Sequence, residues 1–190
     1  MDEVSVDMDS GVKGKVIWIT GLSGAGKTTL GLEIANQLRK NSQDVVFLDG
    51  DELRSVLGAS TLYTRSERLK NAYIYGRLCK LLSEQGIIVV VATIALFAEI
   101  HQWNRENIGG YLEVFLDVPL SELRKRDHKG IYEKFDKGLL KNVAGLDLSV
   151  DFPLNPNFHF KYDPNVQLHE MVGLVIATLM TRPTATEVFS

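Results

Sequence analysis

The sequence of 190 residues has a single cysteine, no long basic run and no long hydrophobic run. One cysteine cannot form an internal disulfide, which is typical of a reducing compartment. A net charge of −3 without a basic stripe argues against a nucleic-acid partner. Every apolar run is too short to cross a bilayer, and the acidic first ten residues do not form a secretory signal. We therefore expect a cytoplasmic protein that contacts no membrane.

The length and the hydrophobic pattern indicate one α/β domain. Short apolar strands alternate with helical patterns, which favours a parallel sheet covered by helices on both faces. The predicted strands are 15–20, 45–48, 87–93, 111–116 and 158–162. The predicted helices are 27–40, 66–85, 99–107, one that begins at Ser121, and 166–180, with Gly86 as the C-cap of the second. The Gly- and Lys-rich stretch 125–154 is weakly patterned, which is typical of a functional or mobile segment.

The two ends of the chain lack the pattern of the rest. We predict flexible tails at 1–13 and 183–190 and a single domain at 14–182. Cys79 lies in an apolar helical pattern, so we expect a buried thiol rather than a nucleophile. Trp18 and Phe115 lie in strand patterns and are predicted to be core residues.

A glycine-rich segment follows the first predicted strand. Residues 21–28 match the phosphate-loop pattern G-x-x-x-x-G-K-[ST]. Glycines let backbone N–H groups approach phosphates closely, and a helix start adds N–H donors and a positive dipole end. Lys27 is expected to act in catalysis at the β- and γ-phosphates of ATP, and the Thr28 hydroxyl to bind Mg²⁺. The residues expected to bind ATP are Gly21, Ser23, Gly24, Ala25, Gly26, Lys27, Thr28 and Thr29.

This motif in this context predicts a P-loop NTPase or kinase fold. We expect three layers, αβα, around a mostly parallel five-stranded sheet with a mobile lid. Sites in such sheets lie beyond the carboxyl ends of the strands. The polar candidates 23–28, 49–54, 93–97 and Asp117 all fall at those ends.

An acidic turn closes the second predicted strand. Asp–Gly is a common turn pair, which accounts for Asp49 and Gly50 without a functional role. The turn does not account for a second aspartate, so we predict that Asp51 is catalytic. It would orient an acceptor hydroxyl or take its proton, and it would bind magnesium together with Thr28.

Three polar residues follow this turn. The guanidinium groups of Arg54 and Arg68 suit phosphate or sulfate oxygens. Asn71 lies three residues after Arg68 in a predicted helix, so the two share one face. Isolated arginines are more often solvated surface residues, and the pattern alone leaves their role open.

At these residues the sequence resembles the adenylylsulfate kinase family. The resemblance covers roughly 15–165 in the family's order and spacing. The matching segments are 18–30, 48–51, 113–120, 126–127, 129–132, 145–147 and 155–156, together with Arg54, Arg68 and Asn71. The opening pattern Trp-x-Thr-Gly-Leu-Ser-Gly is far more specific to one family than the phosphate-loop pattern alone.

The resemblance implies a nucleotide kinase that uses ATP and Mg²⁺. Its reaction would be phosphorylation of the ribose 3′-hydroxyl of adenylyl sulfate, which gives 3′-phosphoadenylyl sulfate. It also implies a mobile lid at about 124–149 and a homodimer that takes a small nucleotide acceptor. The residues that it places around the acceptor are Asp51, Arg54, Tyr63, Arg68, Asn71, Ile94, Ala95, Lys129, Asn142 and Val143.

The departures from the family lie mainly on the acceptor side. The family's Phe-Ile-Ser-Pro-Tyr is Thr-Ile-Ala-Leu-Phe at 93–97, and the lid's Gly-Phe is Asn142 and Val143. In the family that lid Phe and another aromatic residue enclose the adenine, and Tyr63 keeps the second position. Because a ring stacked on a base contributes about 1–3 kcal/mol, valine weakens the binding of a purine.

Two alternatives to adenylyl sulfate kinase activity therefore stay open. The same 3′-hydroxyl phosphorylation can act on another nucleotide, such as cytidine diphosphoramidate in capsule biosynthesis. The chain can also be a nucleotide-binding protein that has lost catalysis, although the retained Asp51 argues against this.

Overall fold

The computed structural model describes residues 14–58 and 63–180. The predicted tails at 1–13 and 183–190 lie outside the described residues, as do positions 59–62 and the last two residues of the predicted domain. Within these ranges the chain forms one five-stranded sheet.

All five strands are parallel, which confirms the predicted fold class. They are β1 (Val16–Thr20), β2 (Val45–Asp49), β3 (Ile88–Ala92), β4 (Tyr111–Asp117) and β5 (Phe158–Lys161). Their spatial order is β2-β3-β1-β4-β5, so β1 lies at the centre. The β1 strand is buried along its whole length, as its unbroken apolar sequence predicts.

Seven helices accompany the strands in the described part of the chain. They are α1 (Lys27–Lys40), α2 (Gly50–Val56), α3 (Arg65–Ser83), α4 (Ala98–Asn107), α5 (Leu120–Lys125), α6 (Ile131–Asp136) and α7 (Leu168–Met180). The short helices α2 and α6 were not predicted, because neither is long enough to show a hydrophobic period. None of the helices in the described ranges is both long and apolar enough to span a bilayer.

Alternation along β1 separates two hydrophobic cores. Ile17 and Ile19 face the core with α1 and α7, whereas Val16 and Trp18 face the core with α3 and α4. Because successive side chains of a strand point to opposite faces, the sheet is the middle of three layers. Trp18 and Phe115 are buried, which confirms both core predictions. Cys79 is also buried, and burial raises the pKa of its thiol to about 12.

The helix α3 begins one residue before the predicted start at 66 and ends two residues before the predicted end at 85. The helix begins after Thr64, whose side chain accepts from the Glu67 N–H in a capping box. It ends at Ser83 with Glu84 as C-cap, so the prediction of Gly86 as the cap was wrong by two residues. Gly86 adopts a φ of 87° and donates its N–H to the Ser83 carbonyl, which closes the turn after the helix.

A buried ionic network attaches α4 to the sheet. The Glu113 carboxylate on β4 is fully buried and lies 2.6 Å from His101 Nδ1, and it also accepts from Arg105 and the Tyr111 hydroxyl. Burial raises the pKa of Glu113, but the bond and charge of His101 outweigh it and lower that pKa below its usual value. Because a buried charge without partners is costly, this network fixes α4 against β4.

Two helix glycines provide a matched test of the packing. A Cβ on Gly76 of α3 would lie 2.7 Å from Asn104 Oδ1, whereas a Cβ on Gly173 of α7 would contact nothing within 4 Å. We expect Gly173→Ala to raise the free energy of unfolding by up to about 1 kcal/mol through helix propensity. Gly76→Ala should lower it by about 1–2 kcal/mol, because overpacking outweighs the same gain. Urea unfolding measures both, and equal effects would contradict the close approach of α3 and α4.

Candidate functional site

The phosphate loop lies between β1 and α1, at the centre of the carboxyl edge of the sheet. Gly24 and Gly26 have φ values of 79° and 96°, a region that side chains disfavour. Gly26 is the N-cap of α1 and offers no side chain to its first turn. The backbone N–H groups at this helix start are therefore available to an anion. Thr29 lies exposed in the same turn, beside Thr28.

Lys27 is the cation of this loop. Its ammonium group donates to the Leu22 carbonyl at 2.7 Å, so the side chain folds back over the loop. Its pKa is lowered from 10.5 to about 8, chiefly by burial and also by repulsion from Lys129, while attraction by Asp51 and Asp49 offsets part of the shift. A poorly solvated ammonium at this place is suited to bind a phosphate, which would replace the lost hydration.

Asp49 is a functional candidate that the sequence analysis assigned only to a turn. One carboxylate oxygen accepts from the Thr28 hydroxyl at 2.7 Å, and the other accepts from the Asp51 N–H at 2.8 Å. It is thus both the N-cap of α2 and the partner of the phosphate-loop threonine. The structure places the Thr28 hydroxyl on Asp49 rather than on Asp51. The available signal was the position of Asp49 at the carboxyl end of β2, two strands from the phosphate loop on the same edge of the sheet.

Asp51 lies in the first turn of α2 and contacts two cations. Arg54 donates to one carboxylate oxygen at 2.7 Å, and Lys129 donates to the other at 2.5 Å. Burial raises the pKa of Asp51, but the bond and charge of Lys129, with Arg54 and Lys27, outweigh it and lower that pKa. Asp51 is therefore ionised at neutral pH and able to accept a hydrogen bond.

Two arginines lie over one aromatic ring next to Asp51. The guanidinium carbons of Arg54 and Arg68 are 5.2 Å and 5.1 Å from the centre of the Tyr63 ring. Arg68 also donates to the carbonyls of Tyr63 and Asn142, each at 2.9 Å. Burial lowers the pKa of Arg68, and repulsion by Arg54 adds to it, so the pair is poised to bind an anion.

A pocket of about 40 Å³ opens beside these arginines. Its walls come from α2, from α3, from the segment after β3 and from two residues in the stretch 144–150. The lining residues are Arg54, Arg68, Asn71, Ala72, Tyr75, Thr93, Ile94, Ala95, Leu96, Phe97, Ala144 and Val150. Five of the predicted acceptor residues thus line one cavity. Tyr75, Ala144 and Val150 were not predicted, because apolar residues within a helix or loop give no functional signal.

Val143 does not line this pocket, although the resemblance places it at the acceptor base. Its side chain is buried, and its N–H donates to Asp147 at 2.7 Å. The Asn142 N–H donates to the same carboxylate at 2.8 Å. Asp147 therefore fixes the turn in which Asn142 has a φ of 59°.

The segment predicted as a lid lies against the phosphate loop at two points. The Tyr132 hydroxyl in α6 donates to the Ser23 carbonyl at 2.9 Å. Gly145 is so close to Leu22 that a Cβ would lie 2.9 Å from its methyl carbon. With the Lys129–Asp51 ion pair, these contacts place the segment over both the phosphate loop and the acidic turn.

The fold and this site together define a P-loop kinase. A parallel αβα domain presents a glycine-rich phosphate loop, its lysine and a carboxylate next to an arginine-lined pocket. The model of the adenylylsulphate kinase family matches residues 13–161. The chain therefore belongs to the adenylylsulphate kinase family, and it is a phosphotransferase with an alcohol group as acceptor.

Several relatives match nearly the whole domain. The cytidine diphosphoramidate kinase of Campylobacter jejuni is 39% identical over 164 residues, which cover 86% of this chain and 95% of that protein. The adenylyl-sulfate kinase of Pseudomonas aeruginosa is 41% identical, with 83% of each chain covered. The structure of the Mycobacterium tuberculosis APS kinase CysC in complex with AMPPNP and APS aligns with a TM-score of 0.82 and 31% identity. That alignment covers 89% of this chain and 99% of the other.

The lowered pKa of Lys27 predicts a pH-dependent stability. Between pH 8 and 10.5 the unfolded chain keeps a proton on Lys27 that the folded chain has lost, so stability rises with pH in this window. Lys27→Met removes this titration. We expect the variant to be more stable than the parent near pH 7, by at most about 3 kcal/mol, and the difference to shrink towards pH 10.5.

Urea unfolding of the nucleotide-free protein at a series of pH values measures this difference. Lys70→Met, at an exposed position of α3, is the control for replacing a lysine by methionine. A stability difference that stays constant from pH 7 to 10.5 would show that burial of the charged Lys27 is not its cause.

Proposed function

We propose that this protein transfers the γ-phosphoryl group of ATP to the ribose 3′-hydroxyl of a small nucleotide, with Mg²⁺ as cofactor. The observation that carries the proposal is the convergence of Lys27, Asp49 and Asp51 between the phosphate loop and the arginine-lined pocket. The charge of Lys27 in the donor loop acts on Asp51 and lowers its pKa. The Asp51 carboxylate pairs with Arg54, which lines the acceptor pocket.

The donor side is supported by the phosphate loop. The N–H groups of the loop and of the first turn of α1 would bind the phosphate oxygens of ATP, as the orientation of a helix start favours. Lys27 would exchange its bond with the Leu22 carbonyl for one with the β- and γ-phosphates. Its charge would then stabilise the negative charge that spreads over the transferred group in the transition state.

The oxygen atoms at Thr28 and Asp49 suit magnesium. The Thr28 hydroxyl and the Asp49 carboxylate are hard ligands that lie 2.7 Å apart, and Asp51 follows in the next turn. Thr28, Asp49 and Asp51 are the residues that would hold the ion. When bound, the ion would neutralise phosphate charge between the β- and γ-groups.

On the acceptor side, Asp51 would bind the 3′-hydroxyl. The hydroxyl oxygen forms a bond with the γ-phosphorus while the bond to the β–γ bridging oxygen breaks, and ADP leaves. The hydroxyl proton passes to Asp51 and then to solvent. An aspartate with a lowered pKa is a weak base, so its main contribution is to orient the hydroxyl, and proton transfer occurs late.

The arginine pair would bind the 5′ end of the acceptor. Arg54 and Arg68 lie on one ring, and burial and the charge of Arg54 lower the pKa of Arg68, so an anion bound between them would stabilise its charge. An acceptor with two acidic groups at its 5′ end would satisfy both. Asn71, which lines the same pocket, can bond a neutral polar group of the acceptor.

Adenylyl sulfate is the acceptor that family membership supports. It carries a phosphate and a sulfate at its 5′ end, which fits the two guanidinium groups. The Pseudomonas aeruginosa relative is an adenylyl-sulfate kinase, and the Mycobacterium tuberculosis structure is an APS kinase in complex with APS, so both support this choice.

Cytidine diphosphoramidate is a second candidate, and one feature of the pocket favours it. The lining of the pocket includes the small residues Ala72, Ala95 and Ala144, and Val143 is buried outside it. A purine would lack the ring that the resemblance places at position 143, and a smaller pyrimidine loses less from the absence of that ring. The Campylobacter jejuni relative is a precedent for this acceptor within the family.

Removal of the Asp51 carboxylate tests the catalytic role. We expect Asp51→Asn to lower kcat at least about 100-fold, the range for loss of a group that orients and deprotonates the acceptor. The KM for ATP should change much less than kcat, because the phosphate loop, Thr28 and the Asp49 cap of α2 are unchanged. Glu52→Gln, at the exposed neighbouring position of the same helix, is the matched control. Parent-like turnover by Asp51→Asn in a coupled ADP-release assay would refute the assignment.

A second experiment decides between the acceptors. ADP release is measured with adenylyl sulfate and with cytidine diphosphoramidate, for the parent and for Val143→Phe. Val143 lies outside the pocket in this structure, whereas the resemblance places it at the acceptor base. If acceptor binding brings this position onto the base, the phenylalanine should raise the ratio of kcat/KM for adenylyl sulfate over that for the cytidine compound about 10-fold, because stacking contributes about 1–3 kcal/mol.

Leu139→Phe is the control for this substitution, because it adds a ring elsewhere in the same segment, at a position that is 73% exposed. Its acceptor ratio should equal that of the parent. An unchanged ratio in Val143→Phe would show that position 143 does not reach the acceptor base. Absence of ADP release with both acceptors would contradict the proposed reaction.

A further inference from the structure

One wall of the acceptor pocket has a strained backbone. Ala95, in the segment 93–97 between β3 and α4, has a φ of 23°, which residues with a side chain rarely adopt. The residue is buried and lines the pocket. Such a conformation costs about 1–3 kcal/mol and persists only where the surroundings fix it.

Backbone contacts fix both ends of this segment. The Thr93 N–H donates to the Ile19 carbonyl at 3.0 Å, and the Thr20 hydroxyl donates to the Ile94 carbonyl at 2.5 Å. These bonds attach the first half to β1. The second half is attached elsewhere, since the Leu96 carbonyl accepts from the Asp151 N–H at 2.9 Å.

The Asp151 side chain then makes a second attachment. Its carboxylate accepts from the Ala98 N–H at 3.2 Å and so caps α4. The N-cap residue itself, Phe97, makes no side-chain capping bond. The same Asp151 oxygen accepts from Arg65 at 3.4 Å. Arg65 also pairs with Glu99 at 3.0 Å, and its guanidinium carbon lies 5.1 Å from the Phe97 ring.

These groups join three elements around the wall. Arg65 belongs to the first turn of α3, Glu99 to the first turn of α4, and Asp151 follows the segment predicted as a lid. All three side chains are about half exposed, at 42–44%. Because exposed ion pairs contribute about 0–1 kcal/mol to stability, the contribution of this cluster is chiefly geometric.

We propose that Asp151, with Arg65, is a positioning residue for the acceptor: it fixes the strained wall formed by Ile94, Ala95 and Leu96. The inference rests on the proposed function, because the wall matters for a nucleotide bound between it and Arg68. Asp151 acts through the wall and does not touch the phosphate loop. It therefore determines acceptor affinity and leaves ATP affinity unchanged.

Three variants and one control test this role. Asp151→Ala removes the cap and the ion pair, whereas Asp151→Asn keeps an oxygen for the Ala98 N–H and loses the charge. Arg65→Gln removes the guanidinium. Glu84→Ala breaks an exposed ion pair with Lys80 at the far end of α3 and serves as the control.

We expect Asp151→Ala to raise the acceptor KM by 5-fold or more, with an ATP KM within 2-fold of the parent. Asp151→Asn should recover part of the loss, and Glu84→Ala should match the parent. An acceptor KM that does not change in Asp151→Ala overturns the proposal. So does an equal rise in both KM values, which a general loss of structure would produce.

Hydrogen exchange of the nucleotide-free protein provides a readout that needs no activity. The backbone amides at 96–100 should exchange at least 5-fold faster in Asp151→Ala than in the parent, while the amides of β1 are unchanged. If the parent transfers phosphate to neither acceptor, the proposed reaction fails. Faster exchange confined to this wall would still support the role of Asp151 in fixing it, and unchanged exchange would refute that role.

Discussion

The carboxylate of Asp49 joins the two halves of the site. One oxygen binds the Thr28 hydroxyl of the phosphate loop, and the other caps α2, the helix that carries Asp51 and Arg54. Because β2 and β1 are separated by β3 in the sheet, these elements share no backbone ladder. The strand β3 holds both of them in the sheet, and the Asp49 side chain makes the direct polar link between the donor loop and the acidic turn.

Charge balance around Asp51 follows from this arrangement. Lys27, Arg54 and Lys129 approach one carboxylate from the phosphate loop, from α2 and from the segment before α6. Burial and mutual repulsion lower the pKa of Lys27, so the cations are stabilised only in part by Asp51 and Asp49. A site with this excess of positive charge is suited to substrates that bring phosphates, and phosphoryl transfer depends mainly on such positioning and electrostatics.

The sequence predicted the sheet and the position of the phosphate loop after the first strand, because both follow local rules. A phosphate loop is one continuous segment, and unbroken apolar runs mark buried parallel strands. The acceptor side was predicted only in outline. Arg54, Arg68 and Asn71 do line one pocket, but Val143 does not. The helix α2, which is too short for a hydrophobic period, and the role of Asp49 were missed, since an Asp–Gly pair is also explained by a turn.

The amino-acid sequence by itself determined the fold class, the family and the chemistry of the donor, since these depend on residue type and spacing along the chain. Only the tertiary structure decided which side chains from distant parts of the chain contact one another. The pairing of Lys129 with Asp51 and of Arg65 with Asp151 joins residues 78 and 86 positions apart. No local pattern encodes such contacts, because they arise from the packing of separate elements on one sheet edge. The φ angle of Ala95 also depends on the tertiary structure, because residues that are neighbours in space stabilise it.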